Sequence, residues 1–137
     1  MPDPQENSAG VEPRGFGEYR RYVTESRLEI NQILHALMRE SSLVTASPGG
    51  DDFFLTSIVG VDEKSDQLLL ECGRSSAVTQ RVLETQRMIC NTSLDKIKIQ
   101  FSCCDIEVSA DGGETYLRTP LPSELWRLLR RENYRIP

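Results

Sequence analysis

The feature that most constrains the fold is a series of short segments in which apolar and polar side chains alternate. In segment 96–101, for example, Ile97, Ile99 and Phe101 are separated by single polar residues. A period of two places one set of side chains on a buried face and the other in solvent, as in an antiparallel sheet. The chain is therefore expected to be mainly β. Segments rich in β-forming residues predict further strands at 43–46, 53–61, 67–72, 87–91 and 115–118.

Turn-forming residues separate these segments. They occur at 48–52, in a predicted hairpin loop at 62–66 and at 111–113. Six or seven short strands joined in this way hide their edges when the sheet closes on itself. The predicted fold class is therefore mainly β with flanking helices (α+β), in the form of a small antiparallel split β-barrel.

One position in this pattern is irregular. After Phe101 the apolar residues change from odd to even numbers, with Ile106 and Val108. A strand cannot keep both sets on one face, so it must bulge or break near Cys103 and Cys104. We predict a bulge.

Periodicity of three to four residues predicts the helices. Ser26 and Glu29 form a capping box ahead of an apolar stripe, which predicts a helix over 26–40 with Asn31 on its polar face. Ser75 or Ser76 is expected to cap a short helix ending near Gln86. A terminal helix is predicted after residues 122–123 from the spacing of Leu125, Leu128 and Leu129.

Composition limits the classes of function. A chain of 137 residues suits one domain, and a net charge of −5 argues against binding to a nucleic acid polymer. No apolar run reaches the roughly 20 residues of a membrane helix, and the N-terminus does not resemble a signal peptide. We therefore expect a cytoplasmic protein without membrane insertion. Residues 1–18 are poor in apolar side chains and are expected to be a disordered tail.

No pattern predicts catalysis or a metal site. The single histidine, His35, has no nucleophile placed near it by any motif, and a structural or surface role is expected. The chain contains no Gly-rich phosphate loop or nucleophile elbow. The cysteines are expected to be reduced thiols, because none forms a C-x-x-C pair and adjacent cysteines rarely bridge. The predictions are therefore no enzyme activity, no catalytic residue and no metal.

Arginines crowd the end of the sequence. Arg130, Arg131 and Arg135 lie in the segment Arg-Arg-Glu-Asn-Tyr-Arg, and Arg127 precedes them. A guanidinium donates two parallel hydrogen bonds to a phosphate or to the edge of guanine. Spacing alone leaves two interpretations open, because cations near a helix C-terminus also stabilise the helix dipole.

The segment from residue 120 to the Arg-Arg-x-x-x-Arg motif resembles the junction between the N-terminal domain and the PilZ domain of YcgR-type flagellar brake proteins. The resemblance extends over roughly residues 20 to 137. It includes the segments 28–30, 33–34, 54–58, 61–62 and 99–102.

This resemblance implies that Arg130, Arg131 and Arg135 bind cyclic di-GMP together with an Asp/Asn-x-Ser-x-x-Gly motif in the following PilZ domain. That second motif does not occur in this sequence, where the nearest string, at 91–96, ends in lysine. We therefore expect the natural protein to continue past Pro137. The predicted organisation is a tail at 1–18, a YcgR-type N-terminal split-barrel domain at 19–121, and a linker helix with the start of a truncated PilZ domain at 122–137.

The resemblance also implies the function, which is regulation of flagellar motility by cyclic di-GMP. The expected partners are cyclic di-GMP as a regulatory ligand, a PilZ domain in cis and flagellar motor proteins, and the expected location is the cytoplasm at the flagellar basal body. No cofactor is expected, and self-association stays open. Two alternatives remain at this point: a flavin-binding protein, because the family's N-terminal domain resembles the flavin-binding split barrel, and an interaction module without a ligand.

Overall fold

The computed structural model describes residues 19–72 and 76–130. The predicted tail at 1–18, together with Arg131 and Arg135, lies outside these residues. In the described part, neither helix is long and apolar enough to span a membrane. The elements, in chain order, are β1 (Tyr19–Thr24), α1 (Arg27–Arg39), β2 (Val44–Gly49), β3 (Asp52–Thr56), β4 (Ile58–Asp62), β5 (Gln67–Glu71), α2 (Ser76–Thr85), β6 (Met88–Leu94), β7 (Ile97–Cys103), β8 (Glu107–Asp111), β9 (Glu114–Pro120) and β10 (Leu125–Arg130).

The strands form two antiparallel sheets. The larger sheet has six strands in the order β1-β10-β7-β6-β2-β3, and the smaller has four in the order β4-β5-β9-β8. Both contribute to one buried cluster, in which Phe101 of the larger sheet and Leu117 of the smaller are at most 1% exposed. The predicted mainly β fold with helices is confirmed. The sheets are not closed into a barrel, and the resemblance to the flavin-binding split barrel stays a prediction.

Helix α1 forms where the capping box predicted it. The side chain of Ser26 accepts a hydrogen bond from the backbone N–H of Glu29, and Ile30, Leu34 and Leu37 are buried. Asn31 was expected on the polar face, but this is wrong because only 6% of its surface is exposed. The helix therefore buries a wider stripe than its apolar residues indicated.

The segment predicted as one strand at 53–61 forms two strands in different sheets. β3 ends at Thr56 and β4 begins at Ile58, so the chain changes sheet at Ser57. The Thr56 hydroxyl donates to the carbonyl of Glu71 at 2.6 Å, and the N–H of Glu71 donates to the carbonyl of Ser57 at 3.1 Å. These bonds satisfy backbone groups that the interrupted ladder leaves without a partner.

The bulge predicted near Cys103 and Cys104 is wrong, because the chain breaks there. β7 ends at Cys103 in the larger sheet, and β8 begins at Glu107 in the smaller. The Gln86 side chain stabilises the crossing: its amide nitrogen donates to the carbonyl of Ile106 at 2.9 Å, and its amide oxygen accepts from the N–H of Ile106 at 2.7 Å. A change of sheet therefore explains the shift from odd to even apolar positions.

The predicted terminal helix is also wrong. Residues 125–130 form strand β10, which pairs along its whole length with β1 and over Trp126–Leu128 with β7. Three leucines spaced i, i+3 and i+4 fit a helix, but such a short run does not exclude a strand. Pairing on both sides supplies backbone hydrogen bonds that a helix at this position would have to replace.

Candidate functional site at the end of strand β10

Strand β10 carries the predicted arginine site at its C-terminal end. Arg130 is the last residue of the strand and lies opposite Tyr19 of β1 in the register. Arg131 and Arg135 follow it, outside the described residues. The structure therefore places the start of the motif at the end of a strand that pairs with two neighbours, and the role of the three arginines stays a prediction.

Arg127 lies on the side of β10 that faces the core. In the register it lies between Tyr22 of β1 and Ile99 of β7. Its Nε is buried and has no hydrogen-bond partner among the described residues. A buried donor without a hydrogen-bond partner destabilises the folded state by about 1–3 kcal/mol. Arg127 is therefore an unsatisfied polar side chain on the core-facing side of the sheet.

Two further cations lie on the opposite side of the same strands. The guanidinium carbon of Arg21 lies 4.8 Å from the centroid of the Trp126 ring, a cation–π geometry. Lys98 of β7 and Arg21 of β1 each lie opposite Leu128 in the register. Sequence reasoning missed both, because they are brought together by the pairing of β10 with β1 and β7, strands that are distant in the sequence and leave no local signal.

The chemistry of this region is cationic in an acidic chain. Arg21, Lys98 and Arg130 occupy positions on three neighbouring strands, whereas the whole sequence has a net charge of −5. Guanidinium and ammonium groups suit phosphate and guanine, and a local excess of cations raises the concentration of anions near it. The end of β10 is therefore a candidate site for an anionic ligand.

His35 lies away from this region. Its Nε2 is 2.8 Å from Oε2 of Glu63 in the β4–β5 loop, and both side chains are partly exposed. The pair links helix α1 to a hairpin at the surface, which agrees with the structural or surface role predicted for this histidine.

A groove of about 720 Å³ lies between the edge strand β3 and the β8–β9 hairpin. Its lining includes Phe53, Leu55, Cys72, Glu71 and Glu114. Two carboxylates and an apolar wall, with no cation among the described lining residues, oppose the binding of a phosphate-bearing cofactor such as a flavin. The groove thus gives the flavin alternative no electrostatic support.

The cysteines occupy two kinds of environment. Cys90 and Cys103 are buried on neighbouring strands, and Cys104 is exposed. A hydrogen bond with the Cys103 side chain, followed by burial, raises the pKa of the Cys90 thiol well above its usual value. All four are free thiols, as predicted, and within 19–72 and 76–130 no three potential metal ligands converge.

The fold and site together define an antiparallel two-sheet domain whose last strand leads into an arginine motif. The family model for the flagellar regulator YcgR, PilZN domain, matches residues 22–127. The chain therefore belongs to the PilZN family, as the resemblance predicted.

Named relatives agree with this assignment. The flagellar brake protein YcgR of Azoarcus sp. (strain BH72) is 32% identical over 133 residues, which are 96% of this chain and 51% of the relative. The YcgR of Thauera aminoaromatica is 34% identical over 119 residues, which are 87% of this chain and 45% of the relative. The chain thus spans about half the length of these relatives.

Solved structures share the fold at low sequence identity. The YcgR-N domain of YcgR from Escherichia coli superposes with a TM-score of 0.70 at 18% identity, covering 77% of this chain and 94% of that one. The E. coli YcgR solved in complex with c-di-GMP gives a TM-score of 0.74 at 19% identity, covering 81% of this chain and 48% of that one. These matches establish the fold of the described residues.

Proposed function

We propose that this chain is the regulatory N-terminal domain of a flagellar brake protein that responds to cyclic di-GMP. The observation that carries the proposal is that β10 of a PilZN domain ends at the first arginine of an Arg-Arg-x-x-x-Arg motif. The relatives are named flagellar brake proteins, and a solved relative contains c-di-GMP.

In this proposal the arginines form one half of the ligand site. Arg131 and Arg135 contact the phosphates or guanines of cyclic di-GMP, Arg130 adds a further cation, and Tyr134 packs against the linker. The Asp/Asn-x-Ser-x-x-Gly motif of a PilZ domain in cis supplies the other half. This chain alone then binds weakly or not at all, because an unanchored linker must lose conformational entropy to enclose the ligand.

The pairing of β10 couples the arginine motif to the rest of the domain. Every residue of β10 pairs with β1, and its central residues also pair with β7. A displacement of Arg130 is therefore transmitted through β10 to the neighbouring strands of the six-stranded sheet. Binding of the ligand reorients this domain relative to the PilZ domain and presents a changed surface to flagellar motor proteins, in the cytoplasm at the basal body.

Calorimetry with cyclic di-GMP tests the proposal in a protein where this chain is continued by a PilZ domain. Arg131→Ala and Arg135→Ala should each weaken binding about 10- to 100-fold, since hydrogen bonds to charged groups contribute about 1.5–3 kcal/mol. Arg118→Ala is the matched control, because Arg118 pairs with Glu107 at 2.9 Å in the smaller sheet. Unchanged affinity in both motif variants would refute the role assigned to these arginines.

A further inference from the structure

The two sides of the six-stranded sheet differ in charge. The outer face is the side opposite the buried core, and its strand residues include no Asp or Glu among the described residues, although the chain has 21 acids. Arg21 and Lys98 lie on this face. One row crosses all six strands, through Leu55, Thr45, Asn91, Gln100, Trp126 and Val23.

The outer face is also partly apolar and uncovered by the described elements. Val23 is 44% exposed, and Trp126 and Leu128 are partly exposed. Helix α2 packs on β2 and β3 from the other side, as shown by the ion pair of Arg81 with Asp52, a residue that shares the side of the buried Phe54. Exposed apolar surface without acids is unusual in an acidic protein and is typical of an interaction site.

The course of the chain indicates what covers this face. β10 places Trp126 and Leu128 on it and ends at Arg130, and the relatives are about twice as long as this chain. β10 is the second of the six strands, and neighbouring strands lie about 4.8 Å apart, so the farthest strand, β3, lies about 19 Å from β10. A domain attached after β10 therefore begins within reach of the whole outer face.

We propose that the domain following β10 rests on the patch formed by Arg21, Val23, Lys98, Trp126 and Leu128, through an apolar surface bordered by acids. This inference rests on the proposed function, which supplies a PilZ domain in cis. It concerns the protein without ligand: the contact holds the two domains in one orientation, and ligand binding at the linker then changes that orientation.

Trp126 is the only tryptophan of this chain, which makes it a reporter at the centre of the patch. Hydroxyl-radical footprinting, read by mass spectrometry, compares this chain alone with the ligand-free two-domain protein in which this chain is continued by a PilZ domain. We expect oxidation of Trp126 to fall at least threefold in the two-domain protein, with Tyr116 of the smaller sheet unchanged. Equal oxidation of Trp126 in both proteins would overturn the inference.

Two valines provide a matched pair of variants. Val23 lies on the patch and is 44% exposed, and Val108 lies on the smaller sheet and is 48% exposed. In the two-domain protein, Val23→Glu should abolish the protection of Trp126 and Val108→Glu should retain it. The same variants in this chain alone should leave Trp126 oxidation unchanged, which separates loss of the contact from a local change at Trp126.

Lysines test the charge of the covering surface. Lys98→Glu should reduce the protection of Trp126 at least twofold, whereas Lys96→Glu, in the β6–β7 turn outside the patch, should not. Equal effects of the two would contradict an acidic border.

Calorimetry on the same proteins separates the two proposals. Protection of Trp126 without binding of cyclic di-GMP refutes the proposed function alone, and binding without protection refutes this inference alone.

Discussion

The two faces of the six-stranded sheet are made by the same strands and have opposite properties. The inner face carries Phe101, Ile99 and Cys90, all at most 2% exposed, and packs against the smaller sheet and the helices. The outer face carries exposed apolar residues such as Val23, and cations that include Arg21 and Lys98. The comparison shows that alternation along a strand separates two tasks, because burial on one side supplies stability and the other side stays available for contacts.

The largest expected effect separates the two faces directly. Phe101→Ala should cost about 3–5 kcal/mol of unfolding free energy, because it removes a buried ring and leaves a cavity. Phe53→Ala, the matched change on the outer face, should cost less than about 1 kcal/mol since Phe53 is 54% exposed. Urea denaturation measures both. Equal costs would mean that the outer face is part of the core.

Thiol reactivity gives a second measure of the same difference. Cys104 is exposed, whereas Cys90 is buried and its raised pKa keeps it a neutral thiol. In the folded protein, Cys90 and Cys103 should therefore react with a thiol reagent about a hundredfold more slowly than Cys104. The reason is that the buried thiols become accessible to the reagent only when the sheet unfolds locally. Mass spectrometry of the labelled peptides measures each rate. Comparable rates would show that the inner face is open to solvent.

A third prediction concerns the hydrogen bonds between the Gln86 side chain and the Ile106 backbone, where the chain crosses from the larger sheet to the smaller one. Gln86→Glu keeps the side-chain size but loses the donor to the carbonyl of Ile106, and it should cost about 2 kcal/mol. Urea denaturation measures the loss of unfolding free energy, and the rate of hydrogen exchange at the Ile106 amide shows whether the loss arises at this hydrogen bond. If exchange there were unaffected, the crossing would not depend on this side chain.

The smallest effect is expected at the surface pair of His35 and Glu63. His35→Ala should change the unfolding free energy by less than about 0.5 kcal/mol, because partly exposed polar pairs at the surface contribute little. Thermal denaturation checks this. A loss above about 1 kcal/mol would mean that the pair fixes helix α1 on the hairpin.

The sequence predicted correctly those elements whose formation depends on residues that are close together in the chain. The capping box at Ser26 predicted the start of α1, and alternation predicted β7, since each depends on residues a few positions apart. The terminal leucines did not predict β10, because the strand is selected by pairing with β1, whose residues are distant in the sequence. The change of sheet after Cys103 depends on Gln86 and escaped the pattern for the same reason.

The candidate site divides in the same way. The arginine motif is contiguous, so the sequence alone identified Arg130, Arg131 and Arg135 as candidates, and their role stays a prediction. Arg21 and Lys98 join the region only through strand pairing, and no spacing in the sequence relates them. A cationic surface assembled from several strands is therefore recognised from structure and not from a motif.

The most direct test of the account is the affinity of cyclic di-GMP for this chain alone and for the same chain continued into a PilZ domain. Calorimetry on both should give strong binding only to the longer protein, with affinity at least a hundredfold weaker for this chain alone. Equal binding by the two proteins, or no binding by the longer one, would contradict the claim that the arginines at the end of β10 form half of a shared site.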